Sequence, residues 1–424
     1  MKSIFLTFYI LSIYSISVCG QQSRNNSGKT FNNTVNSSYN GINDSVNYKS
    51  AHFKNNSYFT STKFNAPVDF SFSNFDSIAN FEKAEFYSPV TFRSIDFHSI
   101  VKFNQAKFYK TTAEFTFSDF RKTAYFTGVT FNSPAKFSSA IFHSDVHFDY
   151  TDFNSTADFS DTKFDSTLNF INVNFDSIAN FNQAVFGSVV NFSNARLPSM
   201  LYLNDVKYIN DEIDLTYSLT NNKFKVCKIC LNNSDIDKIK FRYSRFELYF
   251  PDTTDVDIKT SVYEKLLAKQ KKEGFISSVE KLDKEYMEFK YLKNGDYSKI
   301  WGYFLNFIDK IWWGYGYNKE YIIRNTLAVF LFFLLLNGLL IKYLSTHIYI
   351  IDKLEPLKAR GKIFYFYFTV LYTGLIFFGL KISLQNLQLK DMPASRVFGF
   401  IYFFLMYLSG LICLAYSANY IITN

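Results

Sequence analysis

Cys227 and Cys230 are the residues of this 424-residue sequence whose types and spacing come nearest to chemistry. A C-x-x-C pair serves elsewhere as a dithiol redox couple or as half of a zinc site. No second pair and no nearby histidine accompanies this one, so zinc is not expected. On a strand the two side chains point to opposite faces, and a bridge between them needs a turn. They are expected to be ordinary residues near the end of a domain. His98, His143 and His147 are the next candidates. His98 and His143 each follow a Phe of the repeat described below and fall two coils apart on one corner, roughly 10 Å, beyond the reach of a shared ion. Asp145, Asp149, Asp152, Asp158, Asp161 and Asp165 could face a hard cation, but calcium needs six or more converging oxygens and outward positions on a flat face diverge. Solvated charge is expected at all of these positions. No nucleophile elbow, phosphate-binding glycine loop or paired-histidine helix is present, and glycine is scarce at 16 residues. The sequence therefore predicts a protein that is not an enzyme and that needs no cofactor and no metal.

What must position these residues is a beat of phenylalanine. Phe53, Phe59, Phe64, Phe70, Phe75, Phe81, Phe86, Phe92, Phe97, Phe103 and Phe108 alternate spacings of six and five residues. After a slip of one residue the beat resumes at Phe115, Phe120, Phe126, Phe131 and Phe137. It runs on through Phe142, Phe148, Phe153, Phe159, Phe164, Phe170, Phe175, Phe181, Phe186 and Phe192. Neither a helix nor a strand repeats at that period. A small or β-branched residue stands two positions before almost every Phe: Val68, Ala79, Ala84, Val90 and Val101 are examples. Residues i and i−2 of an extended segment share a face, so each unit is a very short strand with two inward side chains, followed by a turn. Four such faces make a coil of about 22 residues, and eight coils stacked at strand spacing give a rod on the order of 40 Å. The slip between Phe108 and Phe115 predicts a bulged corner around Tyr109 to Thr112.

The pattern resembles the pentapeptide-repeat family, whose members carry Leu or Phe at the centre of each five-residue unit and Ala, Val, Ser or Thr two residues earlier. The resemblance covers Phe53 to Phe192 over about 26 units, and Leu197, Leu203, Tyr208, Leu231, Ile236, Phe241 and Phe246 carry it further. It implies an all-β right-handed quadrilateral β-helix over residues 51–250, here with an eleven-residue sub-period. Residues 21–50, rich in Asn and Ser, are expected to be a flexible leader or a loosely formed first coil.

Only three cysteines remain after a predicted signal peptide at 1–20, which has Lys2, an apolar run from Ile4 to Val18 and a small residue at Gly20. A disulfide framework is thereby excluded, and buried rings must do its work. The net charge of +8 does not lie in the repeats: Phe53 to Asn210 holds 13 Lys or Arg against 15 Asp or Glu. No nucleic-acid partner is expected, and a rod so nearly neutral does not imitate DNA.

Pro251 ends the beat. Residues 256–294 predict an αα-hairpin turning at Gly274, and 300–317 an aromatic helix of the kind found at a bilayer interface, with Trp301, Phe304, Leu305, Ile308 and Trp312 on one face. Apolar spans follow at 326–341, 363–380 and 397–421, giving about three transmembrane helices. The loop after the first holds Lys342, Lys353, Lys358, Arg360 and Lys362 against Asp352 and Glu355. This agrees with a cytoplasmic loop and an exported repeat domain. The region also resembles the two-helix pore domain of bacterial ion channels. In that resemblance the middle span is a re-entrant filter loop, and Ile376, Phe377, Phe378, Gly379 and Leu380 align with the filter. Phe377 replaces its first glycine and Leu380 its acidic residue, which puts carbonyl coordination in doubt.

The expected function is that of a membrane-anchored, exported scaffold with a lipid bilayer and an unidentified protein as partners, and with self-association through the membrane helices. The alternative is a channel-like or sensor protein with a degenerate filter.

Overall fold

In the computed structural model the described residues are 24–208, 211–220, 223, 226–293, 298–349, 361–380 and 394–423, with side chains at 24, 394–396, 419–421 and 423 excepted. The expected signal peptide and most of the basic loop lie outside them. The chain divides into two compact units, Met1–Asp283 and Lys284–Asn424.

The first unit is a solenoid of strands two to four residues long, arranged as four parallel sheets of 11, 9, 10 and 7 strands. The first sheet starts at Arg24–Asn25, the second at Thr30–Phe31, the third at Val35–Asn36 and the fourth at Gly41–Ile42. Through most of the solenoid each strand pairs with the one 22 residues on, as Val46 does with Val68 and Phe75 with Phe97; in the last coils the interval becomes irregular, as Met200 pairs with Lys228 and Cys227 with Phe246. Around residues 109–112 the interval becomes 23, so that Val90 pairs with Ala113 and Phe86 still stands over Phe108. The inserted residue is taken up at a corner, and the ladder on either side is unbroken.

Inside, the phenylalanines form four columns. Rings of successive coils stack nearly parallel, at 4.4 Å for Phe53–Phe75 and 5.7 Å for Phe164–Phe186. Rings of neighbouring columns meet edge to face, as Phe92 meets Phe103 at 5.1 Å and 85°. Phe70, Phe81, Phe92, Phe103, Phe126, Phe131, Phe137, Phe148, Phe159, Phe170 and Phe181 have no accessible surface. Each full burial contributes roughly 1.5–3 kcal/mol, and the edge-to-face geometry adds to that.

The alternating five and six follow from two kinds of corner. A tight corner places two residues between inward side chains, as Glu82 and Lys83 stand between Phe81 and Ala84, closed by Ala84 N donating to Phe81 O at 3.0 Å. A wide corner places three, as Tyr87, Ser88 and Pro89 do between Phe86 and Val90. From Gly28 to Asp205 the second tight-corner residue is left-handed. Ser50, Ser61, Phe72, Lys83, Ser94, Gln105, Phe117, Ser139 and Tyr150 all have φ between 53° and 60°, and of the equivalent residues only Gly28 and Gly128 are glycine. Asn or Asp often stands before the tight-corner Phe and caps the turn; Asn80 Oδ1, for example, accepts from Glu82 N at 2.9 Å.

One expectation is corrected here. Residues 24–50 are a built first coil, with Val35, Ile42, Val46 and Tyr48 buried and Phe31 stacked on Phe53 at 4.9 Å. One apolar side chain per five residues suffices for this wall, and the Asn and Ser between them face outward or cap turns, as Asn36 does for Ser38 N at 3.0 Å. A composition that leaves an ordinary globule without a core is enough for a coil that has a neighbour to stack on.

Six α-helices follow among the described residues: α1 (Val256–Lys272) and α2 (Ile276–Leu292), joined by a turn at Gly274 with φ +74°, then α3 (Lys299–Trp312) and α4 (Glu320–His347), and last α5 (Lys362–Phe377) and α6 (Ala394–Thr423).

Two substitutions separate wall from corner. Phe137→Ala is expected to cost about 3–5 kcal/mol, whereas Lys83→Gly, which relieves a left-handed side chain, is expected to stabilise by roughly 0.5–1 kcal/mol. Thermal loss of the β signal in the full chain checks both, and a stabilising Phe137→Ala would contradict the inward ladder.

Candidate functional site

The strand Cys227–Cys230 buries both cysteines as free thiols, on opposite faces: Cys227 pairs with the inward Phe246, and Cys230 with Tyr202 in register with the outward Asn180. Burial pushes the Cys227 thiol up to about 12. Burial also raises Cys230, against hydrogen bonds from the Asn204 side chain and the Asn232 backbone that lower it. Both are neutral thiols at physiological pH, chemically quiet and part of the wall.

His98 and His143 belong to a line of charges on the outer surface of the second sheet. Asp76 faces His52 Nε2 at 2.7 Å and His98 Nδ1 at 3.7 Å. One coil beyond His98, Asp119 faces His143 Nε2 at 3.1 Å, and His143 Nδ1 in turn faces Asp165 at 2.9 Å. Arg121 and Lys163 join the ends of this second cluster, at 3.5 Å from Asp119 and 2.8 Å from Asp165. These groups are partly exposed, and such pairs contribute about 0–1 kcal/mol each. His147 lies on a different side, stacked on Tyr125 at 5.2 Å and 3.3 Å from Asp149.

The aspartates are engaged from coil to coil. Asp145 accepts from Ser166 Oγ at 2.5 Å and Thr167 N at 3.1 Å, and the Ser166 hydroxyl holds its carboxyl below the usual range. Asp149 accepts from Ile171 N at 3.2 Å, and Asp158 from Ser160 N at 3.2 Å and Asn180 Nδ2 at 2.9 Å. Burial, helped by Asp176, raises Asp152. Among the described residues no group of three or more His, Cys, Asp or Glu is arranged to hold a metal ion.

The hairpin expected at 256–294 forms a lid on the C-terminal end of the solenoid, through contacts that carried no signal in the sequence. Gln270, fully buried on α1, donates from Nε2 to Phe241 O at 3.0 Å and accepts from Tyr243 N at 3.1 Å. Lys269 Nζ donates to Ile236 O at 3.0 Å and Asp237 O at 2.8 Å. Ser278, in the first turn of α2, accepts from Ser244 N at 3.1 Å. These side chains pair with backbone groups that no further coil could reach. In the sequence, Lys269 and Gln270 sit in a lysine-rich run that reads as a solvated face.

In the second unit, α4 and the Val397–Ala418 stretch of α6 are long and apolar enough to cross a membrane, while α5, at 16 residues or about 24 Å, is shorter than a ~30 Å hydrocarbon core. The helix α3 turns Gly302 and Asn306 inward and leaves Ile300, Trp301, Tyr303, Phe304 and Phe307 exposed. The helices α4 and α6 run antiparallel: Gly399 abuts Tyr343 and Ile348, and Tyr416 lies beside Trp312 and Trp313 at 5.8 and 5.5 Å. At their centre Asn337, fully buried, donates to Thr373 Oγ1 and accepts from Tyr402 OH, both at 2.8 Å, tying α4, α5 and α6 together. A lone Asn in an apolar run was the only trace of this knot in the sequence.

The end of α5 falls against the middle of both long helices. Phe377 meets Phe330 at 5.6 Å, and a Cβ on Gly410 would lie 1.6 Å from Phe377 O. The filter-like residues close that helix. Ile376 and Phe377 have no accessible surface, Gly379 is left-handed at φ +62° and donates to Ile376 O at 3.0 Å, and Leu380 N donates to Leu375 O at 3.0 Å. The carbonyls of Leu375 and Ile376 accept from the cap, and that of Phe377 lies against Gly410.

The class defined by this geometry is a parallel β-solenoid wound from short repeats. Residues 115–163 match the family described as pentapeptide repeats (9 copies). The solenoid is a pentapeptide-repeat β-helix, followed by a helical region with two helices able to cross a membrane. A solved structure of QnrB1, a plasmid-mediated fluoroquinolone resistance protein, is similar at 12% identity, over 53% of this chain and 93% of that one, with a TM-score of 0.19. That overlap is too low to carry an argument. No curated protein matches the chain.

Two outcomes test these assignments. At pH 8 a thiol with a pKa of about 12 is ionised to roughly one part in ten thousand. Iodoacetamide is therefore expected to leave Cys227 unmodified in the folded protein and to alkylate it in denaturant. Gln270→Ala removes both partners of buried backbone groups and is expected to cost about 1–3 kcal/mol, read as a lower unfolding midpoint.

Proposed function

We propose that this chain is a membrane-anchored scaffold whose pentapeptide-repeat β-helix is exported and offers its outer faces to a protein partner, without catalysis. The observation that carries the reading is how the chemistry-bearing side chains are used. Inward positions are filled by rings, small side chains and the Cys227 thiol, and the outward His52, His98 and His143 pair with Asp76, Asp119 and Asp165 between coils. The anchor reading rests on α4 and α6, where Leu335 and Leu339 of α4 and Phe398 of α6 are 75%, 82% and 78% exposed, surface that a hydrocarbon phase would cover. The aromatic face of α3 suits the interface of the same bilayer. Charge gives no reason to expect nucleic acid as a partner. Self-association through the membrane helices belongs to the proposal, as does the repeat domain lying outside the cytoplasm, which rests on the N-terminal apolar run and the basic loop.

A channel-like role is the second reading, favoured by one observation: α5 stops at the middle of the two long helices, as a re-entrant segment does. Against it stand the carbonyls of Leu375 and Ile376, which accept from the cap of α5.

The scaffold reading is tested in intact cells. A membrane-impermeant amine reagent is expected to label Lys136, exposed on the solenoid, from outside, while the chain stays in the membrane pellet after alkaline carbonate. Extraction by carbonate would remove the anchor, and a protected Lys136 in a membrane-bound chain would reverse the orientation. Potassium flux through purified protein in vesicles would turn the reading to the channel.

A further inference from the structure

The sequence carries eight Asn-x-Ser/Thr triplets without proline at x, at Asn25, Asn32, Asn36, Asn43, Asn55, Asn154, Asn191 and Asn232. Such a triplet is the acceptor for N-linked glycans in an exported chain. The fold sorts the eight. Asn25 lies on the first strand of the first sheet, Asn32 directly after that of the second, Asn36 on that of the third and Asn43 directly after that of the fourth. One acceptor therefore stands on each of the four sides of the first coil, and all four are exposed.

Exposure and hydrogen bonding together set these four apart. Asn25, Asn36 and Asn43 use only Oδ1, accepting from Ser27 N at 3.1 Å, Ser38 N at 3.0 Å and Asn65 Nδ2 at 2.8 Å. A glycan replaces one hydrogen on Nδ2 and leaves those bonds intact. By contrast, Asn55 Nδ2 donates to Asn32 O, Asn154 Nδ2 to Asn132 Oδ1 at 2.7 Å and Asn232 Nδ2 to Thr254 Oγ1 at 3.1 Å. Asn191 also uses only Oδ1, accepting from Ser193 N at 2.9 Å, and differs by its burial: it is half-buried, with the inward Phe192 at its x position.

We infer that Asn25, Asn32, Asn36 and Asn43 are N-glycosylated, forming a collar around the first coil. This rests on the exported reading. The donor is an oligosaccharide linked through pyrophosphate to a lipid. Asn Nδ2 forms a bond to C1 of the first sugar as the C1–O bond to pyrophosphate breaks, the lipid pyrophosphate leaves, and Nδ2 gives up one proton; nothing is oxidised or reduced.

The collar has a physical use. In every later coil, backbone N–H groups such as those of His52, Lys54, Lys63 and Asn65 donate to the coil before, at 2.8–3.0 Å. Their equivalents in the first coil are Thr30, Asn32, Gly41 and Asn43, and among the described residues no coil precedes them. An open strand edge invites pairing with another chain, and a bulky hydrophilic group on each side obstructs that approach. The other end needs no such device, because α1 covers it.

The test uses the full chain from the cells that naturally make it. The purified protein is treated in heavy-oxygen water with an amidase that releases N-linked glycans and turns each modified Asn into a labelled Asp, and its peptides are weighed. Labelled Asp is expected at 25, 32, 36 and 43 and not at 55 or 232, with the gel mobility shift shrinking stepwise in N25Q, N32Q, N36Q and N43Q. Unmodified peptides at all four positions, in a chain whose Lys136 is labelled from outside, would overturn the collar and leave the exported reading standing. Unmodified peptides together with a protected Lys136 would overturn both.

Discussion

The structure depends on a coincidence of two lengths. Parallel strands stack about 4.8 Å apart, and aromatic rings lying face to face settle at nearly the same spacing, as Phe81 and Phe103 do at 4.8 Å. A column of Phe can therefore be filled coil after coil without strain in either the ladder or the rings. Four such columns, meeting edge to face, leave no room in the interior for water, a metal or a charged side chain. The absence of disulfides follows from the same geometry, because each coil is held by its neighbours above and below. The tight corners show how much strain this tolerates. Phe72 and Phe117 sit at left-handed positions with half their surface in water, each backed by a cation from the coil before, Lys49 at 5.5 Å and Arg93 at 5.4 Å.

The wall of the solenoid was legible because its signal is redundant. Phe at alternating fives and sixes and a small residue two places earlier give two independent periodicities over about 140 residues, and the structure places both inward. The first coil was misjudged for a physical reason. Val35, Ile42 and Val46 are three apolar residues among Asn and Ser, and a reading tuned to globular cores discounts them, although a repeat needs only those slots filled. The helices of the lid were legible, but its contacts were not, for the opposite reason. Lys269 and Gln270 act through backbone groups of another segment, and nothing in their local pattern marks the helix face that meets the end of a coil. Asn337, Thr373 and Tyr402 are distant in sequence, and their meeting depends on how three helices pack.

The two units solve the same problem in different surroundings. In the solenoid, backbone polar groups are satisfied between coils and the side chains make the dry core. In the helical unit each helix satisfies its own backbone, as a segment in hydrocarbon must. Specificity then falls to a few polar side chains and to small residues that let backbones approach, with Asn337 as the first and Gly410 as the second. Interhelical bonds of this kind are worth about 0.6–2 kcal/mol each, which fixes which faces meet more than how tightly.

The inserted residue at 109–112 has a consequence for how such a chain can change over generations. Because a wide corner swallowed one extra residue while Phe86 stayed above Phe108 and Phe108 above Phe131, a small insertion there leaves every downstream layer in phase. Length can then grow or shrink by copying or deleting whole turns of 22 residues, as floors are added to a tower, provided the last floor keeps the surface that α1 fits. Lineages of this protein should differ in height far more readily than in the roof.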